Sequence, residues 1–193
     1  MQLEKAEQFI IDFLKNNLSA SLHYHDLAHT LGVRESAMLL AKAEGISSTE
    51  DLVILQTAAL YHDCGFANVY DDHEEEGCRL TREILPKFGY NEQQIDIICH
   101  LIMKTKLPQE PETHLEKILC DADLDHLGRD DFDYISKKLH EEWIAIGRHL
   151  TEREWNEIQV KFLSNHEYWT ASARKRSDTL KQKHLQSLLD LLR

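Results

Sequence analysis

The stretch STEDLVILQTAALYHDCGF, residues 48–66, decides how the chain is read. Its middle is apolar on every side over more than two helical turns, the pattern of a helix buried in a core and not of one lying on a surface. Ser48 sits where an N-cap belongs, with Asp51 three residues on as the acidic arm of a capping arrangement. The run then ends abruptly in His62 and Asp63, followed by Cys64 and Gly65. Any polar turn would stop a helix, so a histidine beside an aspartate at the end of a buried one raises the question of whether the pair is a cap or part of a metal site.

On either side of this stretch the pattern is helical almost throughout. Residues 3–17 place Leu3, Ala6, Ile10, Phe13 and Leu14 at helical spacing, and residues 22–44 continue with Leu27, Leu31, Met38 and Ala41 up to Gly45. Asp71 and Asp72 precede a fourth helix that Pro86 stops; Asn91, Thr113 with Glu116, and Thr151 with Glu154 mark three further starts. A leucine stripe, Leu185, Leu188, Leu189 and Leu192, closes the chain. With only 7 Gly and 3 Pro in 193 residues there are few breaks for a many-turned sandwich. The fold class expected is therefore all-α, one domain over residues 1–193. The clearest irregular stretch is the loop of residues 104–113, with Pro108 and Pro111.

The net charge of −12 repels a phosphate backbone, and no basic run interleaved with aromatics offsets it, so nucleic acid is not an expected partner. Cys64, Cys78, Cys99 and Cys120 have no C-x-x-C spacing and read as small buried residues in a reducing compartment. Charges interrupt the apolar N-terminus, which excludes a signal h-region or a spanning segment there. A cytoplasmic protein without a membrane partner is expected; oligomeric state is not legible.

Twelve histidines are many for this length, and several adjoin apolar residues. In the second helix, LHYHDLAHT, His25 and His29 are four apart and therefore lie on one face, one turn from each other. His62 and Asp63 end the third helix, His73 begins the fourth, His100 lies late in the fifth, and Asp121, Asp123 and Asp125 fall in DADLD. Singly, each has a structural explanation in a cap, a core imidazole or a solvated acidic face. Together they offer the mixed nitrogen and oxygen donors that a divalent transition metal takes in preference to an all-oxygen calcium site.

In this order, His29, His62-Asp63 and Asp123 resemble the H…HD…D signature of the HD superfamily of metal-dependent phosphohydrolases. The resemblance covers residues 20–130 as the HD core and leaves 131–193 as a helical extension packed on it. It implies an all-helical bundle with a metal site in its core, ligated by His29, His62, Asp63 and Asp123, with Asp121 as the alternative to Asp123. Two-metal members place further histidines where His73 and His100 fall, which implies a dinuclear centre bridged by Asp63; Mn, Fe, Mg, Ni, Co and Zn remain open. YHDLAHT is also similar to the YHNxxH segment of cyclic-nucleotide phosphodiesterases, with Asp26 in place of the asparagine. That similarity implies an acid role for His25, so the catalytic residues expected are His25 and Asp63.

The resemblance implies hydrolysis of a phosphate ester or anhydride in a small molecule, a nucleotide foremost. Lys104, one turn after His100, and Arg79 are the expected phosphate contacts, with Lys106 behind them and His166, Arg174 or Arg176 reaching in from the C-terminal helices. Two other functions share these ligands, a di-iron oxygenase and a non-catalytic metal-dependent nucleotide sensor.

Overall fold

The computed structural model describes residues 1–193. Nine α-helices and no strand follow one another: α1 (Leu3–Asn17), α2 (Leu27–Ala43), α3 (Thr49–Tyr61), α4 (His73–Ile84), α5 (Glu92–Met103), α6 (His114–Asp123), α7 (Phe132–Ala145), α8 (Glu152–Asn165) and α9 (Ala171–Leu191). Three short 3₁₀ turns, at Cys64–Ala67, Leu85–Phe88 and Asp125–Gly128, link them. No helix is long and apolar enough to cross a membrane.

The apolar run of α3 lies within the main core. Ile54, Leu55, Ala58, Ala59, Leu60 and Tyr61 are buried, and α1, α2, α5 and α6 pack around them. Each fully buried Leu or Ile there contributes about 1.5–3 kcal/mol. That surplus lets the same helix end carry buried polar groups, which cost stability wherever they lack partners. Tyr61, fully buried, meets its own need by donating to the Ala6 carbonyl at 3.0 Å. A smaller apolar cluster of Leu124, Leu127, Phe132, Leu163 and Leu188 gathers where the Asp125–Gly128 turn meets α7, α8 and α9. All four cysteines are free.

Local chemistry sets most helix starts. Ser48 accepts the Asp51 N–H, while Asn91 with Gln94, Thr113 with Glu116 and Thr151 with Glu154 form reciprocal capping boxes. One expectation fails. The second helix does not run through His25: it begins at Leu27, because extended Asp26 turns its carboxylate onto the His29 N–H at 2.9 Å. Residues 22–26 are loop, and His25 is placed by tertiary contacts.

Two glycines mark where segments cross too closely for a side chain. A Cβ on Gly65 would lie 1.9 Å from the His73 carbonyl, and one on Gly128 would lie 2.4 Å from Ser177 Cβ. The first contact presses the turn after His62-Asp63 against the start of α4; the second seats the turn after Asp123 on α9.

Candidate metal centre

The ends of α3 and α6 and the first turn of α2 meet at one point. His62 donates from Nδ1 to its own helix's Ala59 carbonyl at 2.8 Å, which turns Nε2 inward. His29 Nε2 lies 3.3 Å from His62 Nε2, 3.3 Å from Asp63 Oδ2 and 3.3 Å from Asp123 Oδ1. His62 Nε2 lies 3.1 Å from Asp63 Oδ2 and 3.5 Å from Asp123 Oδ1. One ligand atom each of His29, His62 and Asp123 falls within 4.8 Å of the others, the spacing of donors around a common ion.

Asp63 Oδ2, at the centre of this group, is buried and has no hydrogen-bond partner. An orphaned carboxylate oxygen in a protein interior is costly, and a divalent cation would satisfy it. Two imidazole nitrogens and two carboxylate oxygens form a donor set that fits such an ion. The electrostatics agree. Burial pushes the imidazoles of His29 and His62 toward the neutral form, yet Asp123 and Asp63 draw both above the ordinary histidine range. Burial works in the opposite direction on Asp63, and the surrounding histidines, His62 foremost, hold it well below the usual carboxylate range. A cation seated among the four would answer the same negative potential and displace protons as it bound.

The HD domain model matches residues 26–128, more than half of the chain and the segment that holds all four of these residues. The chain belongs to the HD domain family.

Two solved structures superpose over nearly its whole length. A predicted HD superfamily hydrolase from an uncultured Thermotogales bacterium has a TM-score of 0.62 at 23% identity, covering 96% of this chain and 90% of its own. YpgQ of Bacillus subtilis, solved in complex with ADP, has a TM-score of 0.68 at 18% identity, covering 98% and 96%. An uncharacterized protein of Clostridium beijerinckii is 34% identical over 77 residues, 38% of this chain and 48% of the relative. The chain therefore spans about half the length of that curated relative.

A second group adjoins the first through the other oxygen of Asp63. His73 Nε2 lies 3.3 Å from Asp63 Oδ1 and 3.5 Å from Glu74 Oε1, and Glu74 is buried. Phe66 stacks with two histidines of this HD domain, its ring centroid 4.2 Å from that of His25 and 3.7 Å from that of His73. Beyond them opens a cavity of about 570 Å³ that reaches Asp63 and Asp123 and is walled by α7 and α8. Leu127, Phe132, Leu139, Trp155 and Phe162 make its apolar side, and Lys106 and Arg148 stand among its polar residues. Tyr24 closes the group, its hydroxyl 3.3 Å from His126 Nδ1; burial holds the His126 imidazole down to about 3.

Several expected residues lie elsewhere. His100 is 61% exposed and faces Glu116 at 3.3 Å, because α5 turns Ile95, Ile98, Cys99 and Ile102 inward and leaves His100 outside. Lys104 donates to the Glu110 carbonyl and to Glu112, away from the cavity. Arg79 pairs with Glu76 and Glu83 along the outer face of α4. His166 packs on Tyr168 and Lys181, Arg174 donates to the Tyr168 carbonyl, and Arg176 reaches Asp125. Asp121 accepts Trp169 N–H, Thr170 N–H and the Thr170 hydroxyl, so its carboxylate fastens the start of α9.

Phe66, Glu74, Arg148 and His126 carried no signal that sequence reasoning used. Adjacency alone pointed to the first two: Phe66 follows the HDCG turn and Glu74 follows His73.

Proposed function

We propose that this HD domain protein is a metal-dependent phosphohydrolase that cleaves a phosphate ester or anhydride of a small molecule, a nucleotide. The observation that carries the reading is the unpartnered Oδ2 of Asp63, set between two inward Nε2 atoms at the edge of a roomy, partly apolar cavity. His29, His62, Asp63 and Asp123 would hold one divalent ion. The other oxygen of Asp63, with His73 and Glu74, offers donors for a second, so the dinuclear reading stands with Glu74 in place of His100. Divalent ions bound there would supply Lewis acidity and an activated water.

The chain's own side chains do the rest. Lys106 and Arg148 bring positive charge to the cavity for phosphoryl oxygens that the metals leave unneutralised. Both are held by carboxylates, Lys106 by Asp72 and Glu75 at 2.7 and 2.6 Å and Arg148 by Asp71 at 3.1 Å, contacts that a phosphate would replace. The aromatic and aliphatic wall excludes water and offers flat apolar surface to a base. His25 lines the cavity beside Asp63 and would protonate the leaving oxygen. A nucleotide of this size fits a cavity of about 570 Å³, and the ADP complex of YpgQ supports that class.

The test is a panel of nucleoside mono-, di- and triphosphates with Mn, Mg, Ni, Co and anaerobic Fe, read as phosphate or pyrophosphate release. Metal-dependent release is expected. Oxygen uptake without phosphate release would make the protein a di-iron oxygenase, and tight nucleotide binding without turnover at saturating metal would make it a sensor.

A further inference from the structure

Only two side chains of α7 are buried, Phe132 and Glu142, and the second is a carboxylate with no solvent exposure. Burying an ionised glutamate costs several kcal/mol unless its oxygens are fully hydrogen-bonded. Here every partner is a donor from the wall of the site. Oε2 accepts the Tyr24 N–H at 2.8 Å and the His25 N–H at 3.0 Å. Oε1 accepts the Tyr70 hydroxyl at 3.0 Å and the ring Nδ1–H of His25. Burial alone would raise the Glu142 carboxyl, but the His25 ring and the backbone donors hold it below the usual range, so it stands ionised.

We infer that Glu142 is a positioning residue for His25, orienting the ring and fixing which of its nitrogens carries the standing proton. The inference rests on the reading of His25 as the proton donor and adds to it a residue from beyond the matched segment. With Nδ1–H committed to Glu142, Nε2 is the nitrogen left to serve a substrate oxygen. His25 enters the step as the imidazolium, with the Nδ1–H held by Glu142 and a second proton on Nε2. As the scissile P–O bond breaks, its electron pair passes to the leaving oxygen, which takes the Nε2 proton and leaves His25 neutral, while the attacking water bonds to phosphorus and releases its own proton to solvent. The other proton stays on Nδ1, hydrogen-bonded to Glu142, throughout. Stacking on Phe66 sets the plane of the ring, and Glu142 sets its rotation within that plane.

Glu142→Gln is the informative variant. Its amide keeps the shape, yet with its oxygen on the two backbone N–H groups its NH₂ must face Nδ1, which selects the opposite tautomer. Replacing an orienting carboxylate by its amide in this way lowers turnover by about 10²–10⁴. The expected result is bound metal and KM unchanged and kcat for ADP or ATP with Mn²⁺ reduced by about that factor. His25→Ala with Glu142→Gln should be no slower than His25→Ala alone. Independently of activity, ¹⁵N-histidine NMR should show the His25 proton on Nδ1 in the native protein and off Nδ1 in Glu142→Gln, the signal being assigned by its loss in His25→Ala.

An unchanged tautomer, a kcat loss that adds to that of His25→Ala, or loss of metal in Glu142→Gln would overturn the assignment. Full turnover in His25→Ala would instead overturn the acid reading of His25, with the NMR result still deciding what Glu142 does.

Discussion

The two sides of the site are built from different material. On one side α2, α3 and α6 bring His29, His62, Asp63 and Asp123 together on short, rigid helix ends whose backbone is buried in the main core. On the other, α7 and α8 contribute Phe132, Leu139, Trp155 and Phe162 to a cavity wall, and α7 sets a single buried carboxylate, Glu142, against His25. Holding a cation needs several donors at fixed separations, whereas shaping a substrate pocket needs only apolar bulk that many sequences supply. Substitutions should divide along the same line, with metal lost on the first side and turnover or affinity lost, with metal kept, on the second.

The hardest blow to that division is Asp63→Ala. It should empty the site and lower phosphate release on the order of 10³-fold or more, the several kcal/mol that metal chemistry supplies; metal content by mass spectrometry and phosphate release read both losses. Retention of metal would undo the division at its root. His25→Ala should keep the metal and lower kcat by about 10²–10⁴; if the metal left with it, His25 would belong to the ligand side.

Next in size, His73→Ala should lower the metal-to-protein ratio while His100→Ala leaves it alone, measured side by side by titration. Equal effects would restore His100 to the centre and displace Glu74. Asp121→Ala should leave metal binding intact but destabilise the fold by about 2–4 kcal/mol, since three donors at the start of α9 lose a buried acceptor. Urea unfolding checks it, and a loss of metal would show that the two sides are not separable.

The smallest effect is pH-dependent. Burial, then Lys181, holds the His166 imidazole down to about 4, against an ordinary value of 6.5. The unfolded chain binds that proton first, so this contribution is full above pH 6.5 and is lost as pH falls toward 4. The loss reaches at most about 3 kcal/mol. His166→Phe should flatten the stability profile across that window.

Much of this architecture is legible in the amino-acid sequence. Helix periodicity and the Ser48, Asn91, Thr113 and Thr151 caps locate six helices, and the order of His29, His62-Asp63 and Asp123 points to one locus through its resemblance to the HD signature. What escapes is orientation about the helix axis. His73 and His100 look alike in sequence, but the close crossing at Gly65 brings the start of α4 onto Asp63, while the core face of α5 turns His100 out. The start of α2 is missed because helical spacing continues through residues 22–26, where Asp26 caps instead of propagating. Glu142 is missed for a different reason: its partners are more than 70 residues away in the chain, and an acidic residue on a mostly exposed helix carries no local mark.

Phe66 gives the arrangement its scale. A hydrocarbon ring one residue beyond Gly65 stacks on the imidazoles of both His25 and His73, whose centroids are 6.2 Å from one another. Chemically the two side chains are identical, and either could coordinate or shuttle protons. Shared contact with one ring leaves the two imidazoles facing different carboxylates, His73 toward Asp63 and Glu74 and His25 toward Glu142, so a single benzene face serves two equivalent groups set in unlike surroundings.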